Sequence, residues 1–184
     1  HMKAMQAARD AEQAEVHAQA RAKAGRLWQQ SRPAANAHGY LQRKRIDPIG
    51  IRQFGDMLVI PARGADGVLH TLQFIGPDGG KRFLTGGRIA GSYCALGRPT
   101  DVMLVCEGYA TGATLHMATG YGVAVAFNCG NLTAVARALR SKFKTMRILV
   151  CADDDAKTSG NPGLTRAREA ARAAVSYTHL TLPT

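Results

Sequence analysis

Three kinds of hydrophobic patterning follow one another along the chain. Residues 3–30 are rich in Ala, Gln, Glu and Arg and hold no proline, which favours helix by intrinsic propensity. Their bulkiest apolar side chains, Leu27 and Trp28, come near the end, so most of this helix is expected to be solvated or lightly docked. Pro33 stops it. A short helix is expected within residues 40–51, ending near Asp47-Pro48 and carrying Arg43-Lys44-Arg45. The pattern then contracts to strand length. Met57 to Pro61 is an apolar run, and Val68 to Ile75 sets Leu72 and Phe74 on one face and Thr71 and Gln73 on the other. Lys81-Arg82-Phe83-Leu84 follows, with turn signals at Asp66-Gly67 and Pro77-Asp78-Gly79-Gly80. This is a β-meander of about three strands, continued by a loop through Gly86-Gly87 and Gly91.

From Asp101 the pattern changes to strand, helix, strand, helix, strand, helix. The expected strands are Val102–Cys106, Gly122–Phe127 and Met146–Ala152, and the expected helices are Thr111–Thr119, Leu132–Phe143 and Pro162–Ala174. Such alternation means a mostly parallel sheet with helices packed on it, an α/β fold whose ligands bind at the carboxyl ends of the strands. Those ends carry Glu107-Gly108, the stretch Asn128 to Asn131, and Asp153-Asp154-Asp155.

Acids at the ends of two buried strands are costly. Two like charges ~4 Å apart repel by roughly 4 kcal/mol at an effective dielectric of about 20. A divalent cation removes that cost, and phosphate chemistry is its usual company. Along extended backbone Asp153 and Asp155 project to one side and Asp154 to the other, giving two oxygen ligands suited to Mg²⁺. Glu107 completes the set as ligand or as general acid/base, and Gly108 allows a sharp turn that brings backbone amides to a ligand.

Charge changes the picture further. The 184 residues carry a formal net charge of +11, with a pI near 10, a balance that favours a polyanionic partner, most often nucleic acid. The arginine and lysine residues at 137–147 read as a solvated helix face, and His17, His70 and His116 stand without partners at metal spacing. The four cysteines form no C-x-x-C pair; Cys106 and Cys151 lie in apolar strands as small core residues, which fits a reducing compartment. No apolar run reaches the roughly 18 residues of a membrane span and no secretory signal is visible, so a cytoplasmic protein without a membrane partner is expected. His1-Met2 resembles a cleaved tag. Residues 175–184 break the preceding helical pattern and read as a vector-derived tail, excluded from the fold argument.

The order of these motifs carries a resemblance. Strand-Glu107-Gly108, helix, strand, Gly130-Asn131 turn, helix, then strand-Asp153-x-Asp155 resembles the Toprim domain shared by DnaG-type primases, topoisomerases and some nucleases. Leu104 to Tyr109 is similar to the primase form of the first motif, Gly130 to Thr133 to its middle turn, and Ile148 to Asp155 to its last. Residues 58–84 resemble the β-rich basic subdomain that precedes Toprim in bacterial primases, and the likeness is greatest to primase-like proteins of plasmids, phages and integrating elements. It implies a helix plus β-meander subdomain over residues 3–98 and a Rossmann-like Toprim domain over 99–174. It further implies Mg²⁺ or Mn²⁺ held by Glu107, Asp153 and Asp155, with Glu107 also catalytic. Lys81, Arg82 and Arg88, and after them Arg43, Lys44 and Arg45, are the expected contacts to nucleic acid or nucleotide, and Gly108, Gly130 and Asn131 the backbone turns of the site. The implied activity is primer synthesis from nucleoside triphosphates on single-stranded DNA, with a helicase or another replication protein as partner of a larger parent. A metal-dependent nuclease and a non-catalytic nucleic-acid-binding module are the alternatives, because the same acids can direct water at a phosphodiester and the same charge can bind without catalysis. Neither a Cys/His zinc module nor a G-x-x-x-x-G-K-[ST] loop is present in these 184 residues. The family's sheet gains a further strand beyond the third strand–helix unit, and here an incomplete sheet is expected because that place falls in residues 175–184.

Overall fold

A computed structural model of the chain describes residues 2–154, 161–174 and 177–183. The first half contains α1 (Met2–Gln30), β1 (Arg32–Pro33), α2 (Gly39–Lys44), β2 (Arg52–Phe54), β3 (Met57–Arg63), β4 (Leu69–Ile75) and β5 (Lys81–Phe83). Its strands pair antiparallel in sequence order, β1-β2-β3-β4-β5. The expected meander is the β3–β5 core of this sheet. The two strands added at its edge span two and three residues, too short for any period-2 pattern to register. Helix α2 ends at Lys44, short of Asp47-Pro48, because Arg45 caps it in the left-handed region at φ 53°.

The second half contains β6 (Cys94–Leu96), β7 (Val102–Cys106), α3 (Tyr109–Thr119), β8 (Gly122–Val125), α4 (Leu132–Lys142), β9 (Arg147–Asp154), α5 (Pro162–Ala173) and β10 (Tyr177–Pro183). The strand order is β10-β9-β7-β8-β6, with β7 parallel to β8 and β9, β9 parallel to β10, and β6 antiparallel to β8. The fold is therefore α/β with a mostly parallel sheet, behind a helix and a meander. The sheet begins upstream of the expected 98/99 boundary, since β6 lies at 94–96. The expectation of an incomplete sheet does not hold: Tyr177–Pro183 fills the place beside β9. A parallel slot accepts any extended segment through its backbone groups, so this pairing bears on geometry and not on the origin of these residues.

Burial arranges these elements in layers. Ala20 and Ala24 let α1 lie close on β4, where Leu27 and Trp28 join Val59, Leu72 and Leu84. The Arg52 guanidinium sits 4.6 Å over the Trp28 ring and donates to its carbonyl at 2.7 Å. The opposite face of the first sheet, with Leu58, Ile60 and Ile75, shares a core with Tyr40 and Leu41 of α2, with α3, and with Leu104, Cys106, Val123 and Val125 of the second sheet. The far face of that second sheet is covered by α4 and α5 through Leu132, Val135, Leu139, Ala167 and Ala170. With both faces covered, β7 reads as an unbroken apolar run. Tyr109 fixes α3 to the first half, its buried hydroxyl donating to the carbonyl of Ile49 at 3.0 Å. Among the described residues no helix is long and apolar enough to cross a membrane.

Helix α3 packs against the sheet only because residue 112 is glycine. A Cβ there would stand 2.5 Å from Val125 Cγ2 and 3.2 Å from Cys106 Sγ. Gly112→Ala is expected to lower stability in urea unfolding by about 1–3 kcal/mol. Gly25→Ala in α1, where nothing lies within 4 Å, is expected to be neutral or to stabilise by up to about 1 kcal/mol.

Candidate active site

The pairing of β7 with β9 decides where the acids go. Val105 faces Val150, so two residues further on Glu107 is set opposite Ala152, one residue before Asp153. Parallel strands run about 4.8 Å apart. Strict alternation would send Glu107 and Asp153 to opposite faces of the sheet, but β7 ends at Cys106 and Glu107 already lies in the bend that leads into α3. Both carboxylates reach the same neighbourhood: burial pushes the Cys106 thiol well up, and the charges of Cys151, Asp153 and Glu107 push it further. Glu107 Oε1 is withdrawn from solvent. Asp153 is half-buried, and β9 runs through it to Asp154, further than the expected end at Ala152. Asp155 lies outside the described residues.

This is also the crevice that topology prepares. From β7 the chain crosses by α3, on the face shared with the first sheet, to β8; from β9 it goes by α5, on the opposite face, to β10. Neighbouring strands whose helices leave on opposite faces define a topological switch point, where open α/β sheets take ligands. Among the described residues no group of three His, Cys, Asp or Glu side chains forms a metal cluster, so Glu107 and Asp153 are the two described acids of the motif. Both offer hard oxygen donors, the type Mg²⁺ and Mn²⁺ prefer. Buried thiols flank them: Cys94 is pushed up to about 12 and Cys151 to about 11 by burial, which keeps both neutral and unreactive.

The turn residues take different parts. Gly108 has φ −99° and its added Cβ would meet Thr111 Oγ1 at 3.8 Å, so neither conformation nor the chain's own packing demands glycine there. A 3-10 turn, Cys129–Asn131, follows β8. Asn131 is buried and ties the site together: its Nδ2 donates to the carbonyls of Ser92 and Ala126, both at 2.9 Å, and its Oδ1 accepts from Gly91 N at 2.8 Å. Gly130 sits within that turn, exposed.

The basic residues divide by strand geometry. Lys81 and Phe83 alternate to the side of β5 that faces the second sheet; Arg82 goes to the other side, where its guanidinium lies 5.6 Å over Phe74. The Lys81 ammonium is held below its usual pKa, first by desolvation and then by Lys44, while Asp153 draws it back up. Lys81 is therefore an electrostatic neighbour of both Lys44 and Asp153. Arg43 donates to the carbonyl of Pro77 and braces the β4–β5 turn, and Arg45 is the exposed α2 cap. Arg88 is bonded to His70 Nε2 at 2.5 Å. That contact is five residues along β4 from the partner of Lys81, roughly 17 Å away. His70, without a partner at metal spacing, is instead held by Arg88, and its pKa is lowered by burial and by Arg88. A cleft of about 570 Å³ opens beside Lys81 and Arg82, lined also by Asp56, Met57, Pro77 and Asp78.

One pair has no linear signal. Phe127, just past β8, adopts φ 74°, and its ring meets Phe83 edge to face with centroids 5.4 Å apart and planes at 80°. Neither a left-handed phenylalanine nor a contact across 44 positions shows in a hydrophobic pattern.

The chain also resembles known proteins. Residues 102–183 match the family model of the Toprim domain, and this part of the chain is a Toprim domain of the kind found in DnaG-type primase-like proteins. A DNA primase TraC of Escherichia coli is 37% identical over 179 residues; the match covers 91% of this chain and 17% of that protein. Two solved structures share the fold. The DnaG primase catalytic domain bound to ssDNA superposes with a TM-score of 0.56 at 13% identity, covering 94% of this chain and 73% of that one. The primase fragment of the bacteriophage T7 primase-helicase protein gives 0.54 at 15% identity, covering 82% and 64%.

A charge held below its ordinary pKa is less favourable in the folded chain than in the unfolded one, so stability rises with pH through that lowered range. Removing the charge should relieve it at neutral pH. Lys81→Met is expected to leave the melting temperature unchanged or raised; a clear fall would show that Lys81 supports the fold.

Proposed function

We propose that this chain is the catalytic-core segment of a DNA primase, which joins ribonucleotides on a single-stranded DNA template. What supports this reading is the β7–β9 register, which brings Glu107 and Asp153 to adjacent strand ends at the switch point where both act on Cys106, together with Lys81 from the preceding subdomain as an electrostatic neighbour of Asp153. The chain spans 17% of its TraC relative, so the activity is assigned to a longer parent protein, with a helicase or another replication protein as its companion. Glu107 and Asp153, with Asp155, would hold Mg²⁺ or Mn²⁺. The metal would supply neutralisation of triphosphate charge and activation of the primer hydroxyl. In the joining step the primer oxygen forms a bond to the α-phosphorus of the incoming nucleotide and pyrophosphate leaves. Glu107 would ligate the metal or take the hydroxyl proton. Lys81 and Lys44 offset phosphate charge as it enters, each as a point charge. Arg82, Arg88, Arg43 and Arg45 would meet nucleic acid outside this centre. A cytoplasmic location follows from the reaction's substrates.

Two measurements test this. In the parent protein, Glu107→Gln should reduce primer synthesis on single-stranded DNA by roughly 100-fold or more, equivalent to about 2.7 kcal/mol of transition-state stabilisation. Undiminished synthesis defeats the assignment, and DNA cleavage without synthesis replaces it with a nuclease. Mn²⁺ at about a hundred times its dissociation constant should stabilise the wild-type chain by roughly 2.7 kcal/mol. Asp153→Asn should lose most of that thermal shift, and equal shifts would remove Asp153 from the ligands.

A further inference from the structure

The carboxyl end of β8 holds a side chain for which metal and phosphate chemistry have no use. Phe127 follows Ala126, whose N–H donates to the Cys106 carbonyl at 2.8 Å. Phe127 therefore stands at the strand end next to Glu107, on the side away from Asp153. Its φ of 74° is rare for a bulky L residue, and such strain concentrates at functional sites. Phe127 is anchored against the shared core, whereas Phe83, half-exposed, belongs to none of the three hydrophobic clusters of the described residues. The edge-to-face contact occupies at most one of the two faces of the Phe83 ring. Two positions away on the same face of β5 is Lys81, the neighbour of Asp153.

We propose that Phe83, set in place by Phe127, is a stacking platform for a nucleobase at the mouth of the acid site, with a phosphate of the same nucleotide reaching Lys81. This rests on the primase reading and deepens it. An aromatic face accepts any base, so the platform is sequence-tolerant, and charge alone would not provide it. The shared chemistry is a nucleobase, carried either by a single strand or by a free nucleoside triphosphate. Phe127 acts through Phe83 and is a positioning residue.

The test compares the whole wild-type chain with Phe83→Leu and Phe83→Trp, using labelled oligothymidylate, an abasic oligonucleotide of equal length, and ATP. Phe83→Leu should weaken binding of the probe that supplies the base, oligothymidylate or ATP, about 5- to 100-fold. It should leave abasic binding, the salt slope and the melting temperature unchanged, because no phosphate contact is lost. Phe83→Trp should retain affinity, and its added fluorescence should be quenched by the ligand that supplies the base. Quenching by oligothymidylate identifies a strand, and quenching by ATP an incoming nucleotide; either supports the platform. Equal binding of both oligothymidylate and ATP by wild type and Phe83→Leu overturns it. So does a loss shared by the abasic oligonucleotide and accompanied by a lower melting temperature, since Phe83 would then be packing only. Failure of the wild type to bind any of the three probes overturns the primase reading as well.

Discussion

The parallel pairing of β7 with β9 is the contact on which the rest depends. It joins strands that are 45 residues apart in sequence at Val105 and Val150 and brings two carboxylates to one edge of a sheet. Apolar side chains on both faces hold that register, since a slip of one residue would turn Val105 and Val150 out of the core they share with α4 and α5. The proximity of Glu107 and Asp153 is thus imposed by burial elsewhere and is not favourable in itself. A cation at these strand ends would offset the repulsion between the two carboxylates, which links this geometry to the proposed chemistry.

The preceding subdomain is more than an appendage, because its inner face is part of the same core. Leu58, Ile60 and Ile75 pack with Leu104 and Cys106, and that shared interior fixes the edge strand β5 across the carboxyl end of the parallel sheet. Period-2 alternation then selects which side chains arrive there. Lys81 comes within electrostatic reach of Asp153 and Phe83 meets Phe127, while Arg82, between them, is turned back over Phe74. The strong positive charge of the chain is therefore a poor guide to which cations reach the site. Arg43 and Arg88 are tied to Pro77 and His70, and Asn131 stitches the 91–92 loop to the end of β8.

Unfavourable features gather at this end of the molecule. A lysine with a lowered pKa, a phenylalanine at positive φ and two neighbouring carboxylates all lie within the reach of one crevice. The opposite face of the sheet, by contrast, is filled chiefly by alanine, valine and leucine under α4 and α5. Stability is supplied by that layer and by the shared core, and it is given up where ligand is expected to bind.

Much of this was legible before any coordinates. Buried parallel strands are written as short unbroken apolar runs, and an acid directly after such a run is conspicuous, so β7, β8, β9, the three helices behind them and the Toprim class all follow from the amino-acid order. Strands of two or three residues leave no period, which hid β1, β2 and β6, and the break in pattern after residue 174 concealed the place of β10. Local order also showed that acids follow two buried apolar runs, that Arg43-Lys44-Arg45 and Lys81-Arg82 are basic, and that Cys106 and Cys151 belong to the core. Only the tertiary structure decided which of those cations face the acids and that Phe83 meets Phe127. Both depend on strand register and on the packing of one sheet against the end of another, contacts between residues distant in the chain that no local pattern encodes.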